Sequence, residues 1–380
     1  MEKRLGLYIH IPFCLHKCAY CDFYSITDTK RRVAYVRALI EQIRSFEFSV
    51  KDYIVDSIYI GGGTPSLLWG EDIEDILHAV RSRFRLSDDV EISMEANPGT
   101  LDGEKLASYR SAGVNRLSIG LQSADDEELK KLSRIHTKEE FESAFVLARL
   151  EGFQNISVDV MYALPGQTPQ KLMDTLSYVI ELDPEHISFY GLKIEPETPF
   201  GKDPAIPGQL PDEDAQYEMY LASAKMLEKA GYMQYEISNF AKSGRECRHN
   251  MKYWHCEEYL GFGPAAYSFF DGKMFSYIKD VEHYIENSME TELLLDEVSS
   301  PSKHDIATQY VMVCFRLRKG ISILEYEKRF ADDFEKRYAN KLAPFIEAGC
   351  VVPTAEGYRL SRRGMLISNY ILSEILDFEE

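Results

Sequence analysis

Cys14, Cys18 and Cys21 lie close together in the stretch "FCLHKCAYC", while the other four of the chain's seven cysteines are scattered. Thiolates at this spacing can hold a metal. Zinc would need a fourth ligand from elsewhere, because structural zinc takes a closed tetrahedral shell. Three thiolates from one short loop suit instead an iron–sulfur cubane with one iron left free of protein ligands. Cys247, Cys256, Cys314 and Cys350 are isolated and read as small buried hydrophobes. An odd cysteine count without a pairing pattern fits a reducing compartment, hence the cytoplasm.

The elements that must position these thiols alternate from Leu7 to about Glu195. Six strand-like runs ("LYIHIPF", "DSIYIGGG", "VEISMEANP", "RLSIGLQS", "NISVDVMYALP" and "HISFYGLKIE") are separated by segments with helical periodicity. Helix entries are marked, as at Ser123 before the acidic "ADDEE" and at Thr137 with Glu140, a capping box. Strands joined through helices run parallel with one favoured hand. The pattern predicts an α/β fold, a curved and partly open (β/α)6 barrel short of the eight units of a closed one, with an open wound sheet as the competing architecture. In either, chemistry collects where strands end. The cysteine loop, Gly61 to Thr64, Glu95, Gln122 and Asp159 all fall near that rim.

Composition limits the function. The chain has 380 residues, 45% hydrophobic and 28% charged, with a net charge of -19, which suits a large globular core and disfavours nucleic acid and anionic lipid as partners. No apolar run is long enough to span a bilayer. The opening "MEKRLGLYIHIPF" has the basic and apolar parts of a signal peptide, but His10 and Pro12 interrupt it and it reads as a buried strand.

The CxxxCxxC spacing followed by "GGGTP" resembles the radical SAM superfamily over the first 200 or so residues. The resemblance implies a [4Fe-4S] cluster on Cys14, Cys18 and Cys21, with S-adenosylmethionine at the open iron. It places Gly62, Gly63 and Thr64 at the methionine part, Tyr8 and Tyr20 close by, and Glu95, Gln122, Arg134 and Asp159 in polar contact with the ribose and amino acid groups. Arg134, in "KKLSRIH", also reads as a solvated helix residue. "YIHIPFC", "IGGGTPS", "EANPG", "SIGLQS" and "PGQT" narrow the resemblance to the group around oxygen-independent coproporphyrinogen III oxidase.

Two features turn it toward the heme chaperones of the HemW type. Phe23 stands where the decarboxylases have a further cysteine, and only thirteen residues precede Cys14 where they carry a longer leader. "HNMKYW" matches the HNxxYW motif of the chaperone branch, which implies His249 as a ligand of heme iron, with Tyr253 and Trp254 as flat apolar surface. Ala265 and Tyr267 depart from the glycine and histidine usual there. The resemblance further implies delivery of heme to an acceptor hemoprotein such as a respiratory cytochrome, and an electron donor such as flavodoxin or ferredoxin. It leaves open a homodimer and whether the chain cleaves S-adenosylmethionine as an enzyme. The alternative is the oxidase itself.

The resemblance divides the chain into a core over 1–230, a connecting region over 231–300 with the HNxxYW motif, and a carboxy-terminal HemN-like domain over 301–380. That last part reads as mainly helical with a hairpin, winged-helix-like. Its twelve Lys plus Arg balance twelve Asp plus Glu, unlike a DNA-reading wing.

Overall fold

Residues 3–46 and 49–376 are described by the computed structural model. Strands β1 (Lys3–Ile11), β2 (Tyr53–Gly62), β3 (Leu86–Ala96), β4 (Arg116–Gln122), β5 (Ile156–Tyr162) and β6 (His186–Gly191) are parallel and pair in chain order. A doubly wound sheet would reverse that order at a switch point. Sequential order is that of a barrel. It does not close, because β6 pairs on its far side with a short antiparallel strand and not with β1. The crossovers carry the expected helices, and Thr137 and Glu140 form the reciprocal cap over Lys138–Leu150.

The segment 231–300 does more than connect. It adds β7 (Met233–Gln234) and β8 (Asn239–Ala241) beyond β6. On the other edge it adds β9 (Tyr259–Phe262), parallel to β1, then antiparallel β10 (Tyr267–Phe270), β11 (Lys273–Tyr277) and β12 (Leu295–Ser299). These strands are two to five residues long, too short to leave a readable period. Ala265, at φ 62° before β10, occupies the left-handed region that glycine takes without cost.

Alternation along β1–β6 separates two kinds of surface. Leu7, Ile9, Ile58, Ile60, Ile92, Met94, Leu117, Ile119, Val158 and Ile187 are buried in the main apolar core. Their neighbours in sequence are polar or aromatic and align across the sheet: Tyr8 beside Tyr59, Tyr59 beside Ser93, Ser93 beside Arg116, Ser118 beside Ser157, and Ser157 beside His186. The barrel interior is thus a polar layer whose groups need partners.

At the end away from the cysteines those partners come from the helix Arg248–Trp254, packed on β1 and β2. A Cβ on Gly6 would meet Lys252 Cδ at 2.8 Å and the His249 ring at 3.2 Å, so glycine lets this helix approach. The carboxylate of Glu91 accepts from the Arg248 backbone N–H at 3.0 Å. The Lys252 ammonium, its side chain 4% exposed, pairs with Asp56 at 2.8 Å and Glu257 at 3.0 Å.

The carboxy-terminal part has its own core around Val311, Phe315, Tyr326, Phe334, Leu342 and Ile371. Helix Lys303–Cys314 precedes β13 (Ile321–Ser322), helices Ile323–Phe330 and Phe334–Glu347 follow it, and β14 (Val351–Pro353) and β15 (Gly357–Leu360) complete a three-stranded antiparallel sheet before the last short helices. It docks where Leu317 bridges Glu236 and the Arg318 N–H donates to the Tyr235 carbonyl at 2.9 Å.

Replacing Lys252 by methionine leaves two carboxylates facing each other beside a buried site. The variant should lose about 2–3 kcal/mol, near the low end for a broken buried pair because Glu257 is half exposed. A urea titration checks this, and an unchanged midpoint would contradict the role given to the pair.

Candidate functional site

The cysteine loop leaves the carboxyl end of β1 and is tied at its base, where the Cys14 N–H donates to the Ile26 carbonyl (3.0 Å) and the Ile26 N–H to the Pro12 carbonyl (2.7 Å). Further along, the Ala19 N–H donates to Leu132 and the Phe200 N–H to Ala19. The glycine run at the end of β2 lies against it. The N–H groups of Gly63 and Thr64 donate to the Ile11 and Phe13 carbonyls at 2.8 and 2.7 Å. A Cβ on Gly63 would come within 2.7 Å of the Phe13 carbonyl oxygen, so this glycine is required by backbone contact with the cysteine loop. Gly62, at φ 111°, turns its N–H to the Glu95 carboxylate at 3.0 Å.

All three thiols line a cavity of about 340 Å³. It also receives Tyr20, Gly62, Gly63, Thr64, Glu95, Gln122, Arg134 and Asp159. The Thr64 hydroxyl lies 3.6 Å from Cys14 Sγ and Arg134 Nη1 3.6 Å from Cys18 Sγ. Arg134 is held by donation from Nη2 to the Gly120 carbonyl at 2.9 Å, and it is not the solvated residue its sequence context allows. The β4–β5 register slips between Gly120 and Gln122, and Gln122 takes φ 70°, a bulge that re-aims its side chain. Asp159 accepts from the Ser118 hydroxyl at 3.0 Å.

Two residues expected in ligand contact lie elsewhere. Tyr8 is one layer below: its hydroxyl bonds His10 Nδ1 at 3.1 Å, its ring stacks on Tyr59 and His249, and it does not line the cavity. His249 is fully buried. Its Nδ1 shares a hydrogen bond with the Ser57 hydroxyl at 3.1 Å, its Nε2 with the Tyr253 hydroxyl at 2.8 Å, and burial pushes its pKa down to about 3. Both ring nitrogens are engaged, one donating and one accepting, so in this structure His249 is a packing residue of the barrel floor and not an open axial ligand. Tyr253 packs edge-on to Tyr259 with ring centroids 4.6 Å apart, and Trp254 packs against the carboxy-terminal core. Sequence reasoning also missed Ser118, Asn97 and Tyr190, which line the cavity. Period-2 alternation from Asp159 to its neighbour strands points to Ser118 and Tyr190; nothing in the sequence marks Asn97.

A model of the Radical SAM superfamily matches residues 8–179, and one of the HemN C-terminal domain matches residues 302–367. The heme chaperone HemW of Haemophilus influenzae is 36% identical over 386 residues, covering 99% of this chain and 98% of that one. That of Escherichia coli is 35% identical over 384 residues, with 98% of each covered. The chain belongs to the HemW family. Among solved structures, E. coli coproporphyrinogen III oxidase (HemN), a radical SAM enzyme, superposes with a TM-score of 0.86 at 24% identity, over 100% of this chain and 91% of that one. At that identity the match speaks for the fold.

The radical SAM part of the family implies a [4Fe-4S] cluster and S-adenosylmethionine, and the residues present fit both. Among the described residues no three His, Cys, Asp or Glu side chains gather tightly enough for a single metal ion. The three thiols share one cavity, as a cluster held by all of them requires. Arg134 Nε and Asn97 Oδ1, both on cavity residues, are buried without partners, so a polar ligand has groups to satisfy.

Glu95 carries the electrostatic signature. It accepts from the Tyr59 hydroxyl at 2.9 Å as well as from Gly62, yet burial first, and the nearby Asp159 second, raise its pKa to about 7. A carboxylate held against its own ionisation is poised for a cation, and S-adenosylmethionine brings a sulfonium and an ammonium. The folded value lies above the ordinary 4.5. Between those pH values the folded chain keeps a proton that the unfolded chain has released, so stability falls as pH rises through this window and stays low above it. Glu95→Gln should therefore stabilise the ligand-free protein by about 3 kcal/mol at pH 8 and not at pH 4, while weakening S-adenosylmethionine binding. Urea titrations at the two pH values check it, and a pH-independent difference would refute the assignment.

Proposed function

We propose that this protein is a heme carrier of the HemW type: it holds a [4Fe-4S] cluster through Cys14, Cys18 and Cys21, binds S-adenosylmethionine beside it, and hands heme to an acceptor hemoprotein such as a respiratory cytochrome. The observation that carries the reading is the match to HemW heme chaperones over 98–99% of this chain. A cluster held by Cys14, Cys18 and Cys21 would supply one-electron chemistry at the sulfonium of S-adenosylmethionine, and a flavodoxin or ferredoxin is the class of donor that would reduce it.

The chain's own residues orient and enclose. Gly62, Gly63 and Thr64 bring backbone close to the methionine part. Glu95 and Asp159 meet its charge and hydroxyls. Arg134, fixed on Gly120, keeps a cation beside Cys18, where thiolate charge develops. Phe23, where the decarboxylases have a further cysteine, is 70% exposed at the rim of the cavity, which speaks against coproporphyrinogen III oxidase activity. No helix among the described residues is long and apolar enough to cross a membrane; we place the protein in the cytoplasm on its cysteine usage.

Anaerobic reconstitution should give about four iron and four sulfide per chain, lost in Cys18→Ser. The loaded protein should then bind hemin saturably near one per chain by its Soret band and leave coproporphyrinogen III unconsumed. Absence of saturable hemin binding, or decarboxylation of coproporphyrinogen III, would overturn the carrier reading.

A further inference from the structure

The cysteine cavity, about 340 Å³, sits at the small end of ligand pockets, which run from roughly 300 to 1,000 Å³. A cluster and S-adenosylmethionine have to share it. A porphyrin needs another place, and the motif histidine expected to hold it is sealed in the barrel floor.

A second cavity, of about 1280 Å³, opens between the outer side of that floor and the carboxy-terminal domain. Its walls include Met251, Tyr310, Cys314 and Leu317, which give it apolar surface. His255, the residue that caps the helix Arg248–Trp254, also lines it. The His255 Nδ1–H donates to the Met251 carbonyl at 3.0 Å, which fixes the tautomer and leaves the lone pair on Nε2. No described residue bonds Nε2, and that atom is not sealed by protein. An imidazole with one nitrogen tied to a backbone carbonyl and the other open to a cavity is the arrangement metal sites use to aim a ligand.

The same cleft holds a guanidinium with an unused donor. Arg318 lines it, and its Nη1 is buried with no partner. Burial first, then the neighbouring guanidinium groups of Arg359 and Arg362, hold its pKa below the ordinary value, only partly offset by the carboxylate of Glu228. A carboxylate would relieve both the orphaned donor and the repulsion. An iron porphyrin with propionates supplies what both features lack: a metal for an open imidazole and an acceptor for the unused Arg318 donor.

We propose that heme docks in this cleft, with His255 Nε2 as an axial ligand of its iron and Arg318 pairing a propionate; the proposal rests on the carrier reading above. Hemin is titrated anaerobically into the full-length, cluster-loaded protein and into His255→Ala, His255→Cys and Arg318→Gln. The first variant should bind about tenfold more weakly or worse and with an altered Soret band. His255→Cys should shift the spectrum to that of a thiolate-ligated heme, a change that loss of structure alone does not produce. Arg318→Gln should weaken binding without changing the ligand signature. S-adenosylmethionine binding, at the far end of the barrel, should persist in all three. If the intact protein binds hemin and both His255 variants match it in affinity and spectrum, heme lies elsewhere and this proposal falls while the carrier reading stands. If the intact protein binds no hemin, the carrier reading falls as well.

Discussion

A polar surface enclosed by protein has to find partners along its whole length, and the inner face of this parallel sheet is polar from end to end. Barrels of eight strands usually fill their interior with apolar layers. Here the strands turn serines, carboxylates, histidines, tyrosines and Arg116 inward. Each unpartnered group would cost on the order of 1–3 kcal/mol. The rest of the molecule follows from how the two ends of that layer are satisfied.

At the amino end the partners are built in. The helix Arg248–Trp254 brings His249 to Ser57 and the Arg248 N–H to Glu91, with Lys252 beside Asp56. The open seam between β6 and β1 is what makes room for it, and the short strands on either edge hold the polypeptide that carries it. At the carboxyl end partners are incomplete. Arg134 Nε and Asn97 Oδ1 are left over, and Glu95 resists ionisation. A ligand with positive charge and hydroxyls completes that end, which is the physical sense of a cofactor site there. Barrel and binding site are one polar system, closed below by protein and above by a small molecule.

His249 of the HNxxYW segment and His255 just beyond it behave differently because of where the helix ends. Within it, His249 faces the barrel and is consumed by polar groups there, while Met251 already lines the cleft on the other side. His255, just past its last turn, projects on the other side, toward the space left under the carboxy-terminal domain. Leu317 and Arg318 anchor that domain through backbone pairing with residues 235–236, so the cleft is framed by two separately packed cores.

Much of this was legible from the residues alone. The spacing of Cys14, Cys18 and Cys21, the glycine run and the alternation of six strand and helix patterns are local signals, and local geometry fixes them: thiols a few residues apart on one loop cannot be far apart in space, and period 2 dictates two faces. Glu95 and Gln122 were findable because each sits at a strand end, and Asp159 because a carboxylate among apolar strand residues needs a partner. The short strands of 231–300 carry no period to detect, and a histidine in a motif carries no sign of which way it points. Whether His249 or His255 keeps a free nitrogen depends on Ser57 and Tyr253 arriving at one ring and only a carbonyl at the other. Sequence determined which groups could do chemistry; tertiary packing decided which of them were left unpaired, because a hydrogen-bond partner from a distant strand removes a ligand as completely as a mutation would.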